Sequence, residues 1–88
     1  MSVKLQIGQI LQRFTNNQET VEVKGSTVAE CLDDLTKQFP ETKQWLFDRN
    51  GILMVLILHD SETVYQKDLK RKVKDGDELK LTLIVGGG

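Results

Sequence analysis

One stretch of this chain has a sustained helical period. In STVAECLDDLTKQF, residues 26–39, the apolar positions Val28, Cys31, Leu32, Leu35 and Phe39 recur at steps of three and four. That spacing gathers them into one stripe along an α-helix. A lone amphipathic helix has to bury its stripe against something, and the segments around it alternate with the period of strands, so the partner is a sheet. The ends of the helix are also written in the residues. Thr27 and Glu30 stand at capping-box spacing, and Pro40 disfavours helical geometry at Phe39 and lacks a donor.

Before the helix, Val3, Leu5 and Ile7 alternate with Lys4 and Gln6, and Val21 and Val23 alternate after a polar, turn-rich TNNQE. These form an expected N-terminal hairpin. Gly8 marks either the end of the first strand or a bulge, and Ile10, Leu11 and Phe14 blur its limit. After the helix, ETKQWLFDRNG suits a short helical turn burying Trp45, Leu46 or Phe47, closed by Asn50–Gly51. The run Ile52–Leu58 is apolar at both parities, which predicts a central strand covered on both faces. Val64–Tyr65 makes a short strand, and KDLKRKVK is a polar connection anchored by Leu69 and Val73. A turn at Asp75–Gly76–Asp77 leads into Leu79, Leu81, Leu83 and Val85, alternating with Lys80, Thr82 and Ile84. The expected fold is α+β, a mixed sheet of about five strands with one main helix packed across it.

With 88 residues there is room for one domain with one core. A 39% hydrophobic and 28% charged composition suits a folded chain, and a net charge of −1 gives no global attraction to nucleic acid or anionic membrane. The single cysteine, Cys31, fits a reducing compartment, and MSVKLQIGQI lacks the pattern of a secretion signal. The apolar run Ile52–Leu58 is far below the about 20 residues a membrane span needs. A cytoplasmic location with no membrane partner is therefore expected.

The sequence ends in LKLTLIVGGG, a strand that runs into three glycines. This order of elements, the segment KDGDELKL from Lys74 to Leu81, and the ending VGGG from Val85 together resemble the ubiquitin-like β-grasp family. The likeness is greatest to its sulfur carriers, the molybdopterin synthase small subunit and the thiamin-biosynthesis carrier. It spans essentially the whole chain and divides it into a β-grasp domain over 1–85 and a tail over 86–88. Two features depart from the usual pattern: LHD at Leu58–Asp60, where many relatives carry asparagine, and the basic stretch before the turn.

The resemblance implies a protein cosubstrate, not an enzyme. A ubiquitin-activating-type enzyme, using ATP and magnesium, adenylates Gly88, and sulfur then converts the terminal carboxylate to a thiocarboxylate for a sulfur-accepting synthase. No bound cofactor and no metal site are expected on the chain itself. Gly88 is the reactive position, Gly87 and Gly86 form the part that enters the partner's channel, and Leu83, Ile84 and Val85 are candidates for partner contact. Glycine suits that use, because a backbone without Cβ passes through a narrow channel and each extended residue adds about 3.3–3.6 Å of reach.

Two other readings stay open at this point. A ubiquitin-like modifier would be joined through Gly88 to lysines of other proteins. A non-covalent adaptor or nucleic-acid-binding domain would use the sheet or the basic run Lys67, Lys70, Arg71, Lys72 and Lys74. That run lacks interleaved aromatics for base stacking and is diluted by Asp68, Asp75, Asp77 and Glu78, so a solvated face that steers an acidic partner is the favoured reading. Cys31 is expected in the core, His59 at a strand-end surface, and Trp45 and Phe47 as core anchors. Asp33–Asp34 and Asp75/Asp77 are read as solvated or turn-making, not catalytic.

Overall fold

The computed structural model describes residues 2–83, so Ile84, Val85, Gly86, Gly87 and Gly88 lie outside the described residues. Five strands form one mixed sheet: β1 (Ser2–Ile7), β2 (Thr20–Lys24), β3 (Val55–His59), β4 (Glu62–Val64) and β5 (Glu78–Leu83), in the spatial order β2-β1-β5-β3-β4. Helix α1 (Val28–Gln38) crosses one face, and a one-turn helix α2 (Lys43–Leu46) follows it. The expected α+β arrangement is the observed one.

β1 and β2 are antiparallel, with Val3 opposite Val23 and Leu5 opposite Val21. Their connection holds a 3₁₀ helix, Gln9–Thr15, instead of a plain loop. This accounts for the three apolar residues that fit no strand: Leu11 is buried and Phe14 packs against Trp45 at a centroid distance of 5.9 Å. Asn16 and Asn17 then take positive φ, which asparagine tolerates better than most residues, and turn the chain into β2.

α1 begins and ends where the residues predict. Thr27 Oγ1 accepts the Glu30 N–H at 3.1 Å, but the Glu30 carboxylate reaches Ser26, accepting its N–H and its hydroxyl, instead of returning to Thr27. The hydroxyl offers a second donor beside the backbone N–H, and both bonds hold the Glu30 carboxyl below its usual range. Val28, Cys31, Leu32 and Leu35 are buried against Val3, Leu5, Val21, Val23, Ile57, Leu79 and Leu81 from the inner face of the sheet. Gly25 allows the close approach of β2's exit to the helix, since a Cβ there would stand 2.8 Å from the Cys31 nitrogen.

The run Ile52–Leu58 does not form a central strand covered on both faces. β3 lies one place in from the β4 edge; Val55 and Ile57 point inward, while Leu56 is 36% exposed and Ile52, outside the strand, is 51% exposed. Only one face of the sheet carries helix, so the opposite parity of this run faces outward. The central strand is β5, parallel to β1 and antiparallel to β3. Its Leu79 and Leu81 are buried while Lys80 and Thr82 face out.

Candidate functional site

The site expected from the sequence begins where β5 ends. Both edges of β5 are held by neighbours: Leu5 and Ile7 of β1 stand opposite Leu79 and Leu81, and Val55 and Leu56 of β3 stand opposite Leu83 and Thr82. The Gly8 N–H donates to the Leu81 carbonyl at 2.8 Å, which closes the β1 side just before the 3₁₀ helix turns away. A Cβ on Gly8 would approach that carbonyl oxygen to 3.0 Å, so glycine is what lets the two backbones meet here. The strand is thus tied to β1 as far as Leu81 and to β3 as far as Leu83, its final described residue.

Around this exit the surface carries exposed apolar side chains. Ile10, on the 3₁₀ helix, is 59% exposed, and Leu56, across from Thr82, is 36% exposed. Gly8, Gln9, Ile10, Leu11, Thr82 and Leu83 line a groove of about 250 Å³ beside the end of β5. Leu83 was expected as a partner contact and does sit here, half-buried at the groove. Ile84, Val85, Gly86, Gly87 and Gly88 belong to the same expectation and lie outside the described residues. Ile10 and Leu56 were missed: the first only blurred the limit of the N-terminal strand, and the second was read into a strand covered on both faces. The signal that could have found them is their failure to fit the period of the elements around them.

The other chemistry-bearing residues fall elsewhere. Cys31 is fully buried, and burial, followed by the charges of Glu30 and Asp34, pushes its thiol up to about 11. A thiol so placed stays protonated and unreactive at neutral pH, in keeping with a core role. His59 corrects an expectation. It is not at the surface but 5% exposed, with Nε2 at 2.9 Å from Asp77 Oδ2. Since a carboxylate only accepts, Nε2 carries the proton, and the buried Nδ1 has no partner among the described residues. Asp77 also accepts the Lys74 N–H, and these two bonds, the backbone one first, hold its carboxyl below the usual range. Asp75 accepts the Ser2 N–H. Both aspartates are therefore turn-making, as the sequence implied. Trp45 is buried as an anchor, while Phe47 is only partly buried.

Among the described residues, no group of three or more His, Cys, Asp or Glu could hold a metal ion. Among them, too, no helix is long and apolar enough to cross a membrane. The described surface presents no clustered acid, base and nucleophile. What it presents is a clamped strand leading out of an apolar rim.

A five-stranded mixed sheet in this order, crossed by one helix, defines the protein as a ubiquitin-like β-grasp protein. The description narrows further on comparison with known families: the ThiS family matches residues 5–88, and the chain belongs to it, within the ubiquitin-like sulfur-carrier group. Among solved structures, a chain of the Amycolatopsis orientalis BexX/CysO complex is 32% identical with TM-score 0.84, the match covering 98% of this chain and 99% of that one. SAMP1 from Haloferax volcanii is 27% identical with TM-score 0.84 over the full length of both chains. Mycobacterium tuberculosis CysO, described as an antigen, is 27% identical with TM-score 0.82, covering 92% of this chain and 97% of that one. A comparison with curated protein sequences finds no significant match.

Proposed function

We propose that this protein is a sulfur carrier, a cosubstrate whose Gly88 carboxylate is activated and then loaded with sulfur. The observation that carries the reading is the lateral clamping of β5 up to Leu83, directly before Ile84-Val85-Gly86-Gly87-Gly88 in sequence, in a chain of the ThiS family. A rigid strand fixes where the segment starts, and glycines without Cβ suit passage into a partner's active site. A terminal carboxylate is ionised at neutral pH and is a poor acyl donor. In this reading it attacks the α-phosphorus of ATP in a ubiquitin-activating-type enzyme, releasing pyrophosphate and forming an acyl-adenylate. Sulfide, or a persulfide sulfur followed by reduction, displaces AMP and leaves the thiocarboxylate. Magnesium and ATP belong to the activating enzyme, and the carrier contributes no acid, base or cofactor.

The sulfur-accepting partner is a synthase of cofactor or amino-acid biosynthesis; molybdopterin, thiamin and cysteine are the product classes the family resemblance offers. The exposed Ile10 and Leu56, with Leu83 at the groove, form the face on which the activating and accepting enzymes dock, and Ile84 and Val85, next in sequence, are further proposed contacts. A cytoplasmic location follows from a reaction that needs ATP and reduced sulfur.

A second reading has its own support, because a similar structure from Haloferax volcanii is named as a small archaeal modifier protein. There the acyl group passes to a lysine amine of another protein instead of to sulfur. The discriminating experiment is the intact mass of the protein purified from its own cells without reducing or alkylating steps. Replacement of one oxygen by sulfur at Gly88, lost on deleting Gly87 and Gly88, is the expected result. Conjugates joined through Gly88 to lysine, with no thiocarboxylate, would transfer the conclusion to the modifier reading. Neither species, even after supplying an activating enzyme and ATP, would overturn both.

A further inference from the structure

The basic run that the tail chemistry leaves unused is fixed by unusual backbone bonds. Residues 67–74 carry five cations and one carboxylate, so this segment is +4 in a chain of net charge −1. It does not hang free. The first N–H groups of α1 point at it: Val28 donates to the Arg71 carbonyl at 3.0 Å and Ala29 to the Leu69 carbonyl at 2.8 Å, while the Val73 N–H donates to Ser26. Val73 is 2% exposed and Leu69 is half-buried, which leaves Lys67, Lys70, Lys72 and Lys74 on the outside. Arg71 alone is paired, with Glu62 at 2.6 Å; none of the four lysines has an ion-pair partner among the described residues. The acids nearby hold backbone instead: Asp68 faces the Tyr65 N–H, Asp75 that of Ser2 and Asp77 that of Lys74.

The placement of the strip separates it from the apolar rim. It starts at Gln66, whose amide side chain bridges the Gly51 carbonyl and the Leu53 N–H, and ends at Lys74 beside the start of β5. Lys74 is thus about a strand length, roughly 17 Å, from Leu83. Lys72 bridges to Thr27 and the segment then reaches the start of β1, where the Gly76 N–H donates to the Ser2 carbonyl, whereas Ile10 follows the opposite end of β1. Tyr65, 60% exposed, stands at the head of the strip.

We infer that Tyr65 and Lys67–Lys74 form a second docking surface, distinct from the tail's, for an acidic segment of a partner protein. Charge complementarity selects the partner: four unpaired lysines on a fixed backbone attract carboxylates without the cost of ordering a loop, and Tyr65 offers an apolar contact beside them. A long polyanion such as nucleic acid meets a molecule that is net negative away from this strip, which disfavours it. The surface lets a partner hold the carrier while its C-terminal segment is engaged elsewhere.

The test is a ¹⁵N amide-shift titration of the full chain with a synthetic peptide of glutamates bracketing one leucine and one phenylalanine. A single-stranded oligodeoxynucleotide of equal formal charge is titrated in parallel. Amides of Tyr65 and Lys67–Lys74 should move with the peptide while Leu83 stays still, and binding should weaken about tenfold from low to physiological salt. The triple variant K67E/K70E/K72E should lose the shifts, Y65A should bind more weakly, and deletion of Gly87–Gly88 should change nothing. Each variant's own amide spectrum verifies that it is folded. Shifts elsewhere, no shifts, unchanged binding by the folded triple variant, or tighter binding of the oligonucleotide would each overturn the inference. None of these outcomes depends on whether Gly88 carries sulfur.

Discussion

Asp77 holds three segments of the chain together through a few bonds. Its carboxylate accepts from His59 at the end of β3 and from the Lys74 N–H across the turn, and its carbonyl accepts the Lys4 N–H of β1. Both side-chain bonds favour the ionised form, so its folded value lies below the ordinary aspartate value of about 3.9. The sign follows from linkage: the stabilisation is fully present above about pH 4 and is lost as pH falls through the lower folded value. Asp77→Asn keeps the shape and removes the charge. Chemical denaturation across pH should show the variant less stable than wild type from pH 5 to 7, with the two converging in acid. A constant difference at all pH values would mean that the charge is irrelevant. A second residue-scale expectation concerns Gly25. Because a Cβ would lie 2.8 Å from the Cys31 nitrogen and 3.0 Å from the Glu30 carbonyl carbon, Gly25→Ala must push α1 away from β2. A loss of about 1–3 kcal/mol in urea unfolding is expected. The close packing that requires Gly25 depends on where the helix crosses, which no local sequence pattern states.

At the scale of elements, legibility divided according to what each pattern could encode. α1 was readable because its stripe, cap and proline stop are all local, and β5 because Leu79, Leu81 and Leu83 alternate cleanly with polar residues. β3 was misjudged for a physical reason. Apolar residues at both parities signal contact on both sides, but the second contact need not come from the same chain, and here Leu56 remains at the surface. His59 was misjudged in the other direction, since its burial depends on Asp77, 18 residues away in sequence. The 3₁₀ helix at Gln9–Thr15 escaped because Ile10, Leu11 and Phe14, although spaced by three and four, make too short a pattern to declare a helix. The rank of the strands also carries a prediction. β5 is bracketed by β1 and β3, and Leu81 stands opposite both Ile7 and Ile57 with no exposure. Leu81→Ala leaves a cavity in the middle of the sheet and should cost about 2–5 kcal/mol. That is a large share of the few kcal/mol a domain of this size has available. The urea midpoint should fall accordingly, with an unchanged slope if the native state keeps its compactness.

At the scale of the whole molecule, a core that asks for burial has left two large apolar side chains, Ile10 and Leu56, on either side of β5's end. Scattered exposed apolar residues are ordinary; under the proposed function, two that flank the strand leading to the C-terminal segment would serve docking. If they receive the activating enzyme, the proposed function separates stability from activity at these positions. Ile10→Glu alters mostly exposed atoms, so thermal unfolding should move within about 0.5 kcal/mol, whereas Leu56→Glu, at a side chain 36% exposed, should cost more without unfolding the protein. The reaction should respond differently. With an activating enzyme, ATP and magnesium, pyrophosphate release measured against carrier concentration should show kcat/KM falling about tenfold or more for each variant. The loss should appear mainly as a raised KM, because a docking contact acts before the chemical step, whereas a Gly88→Ala variant perturbs the acyl group itself and should lower kcat. The basic strip supplies the control on the same molecule: K67E/K70E/K72E leaves the rim and the tail intact, so its effect on this KM reports whether the activating enzyme is also the acidic partner. Unchanged kcat/KM for both Ile10→Glu and Leu56→Glu would remove the apolar rim from the mechanism and leave Gly86, Gly87 and Gly88 to carry recognition by themselves.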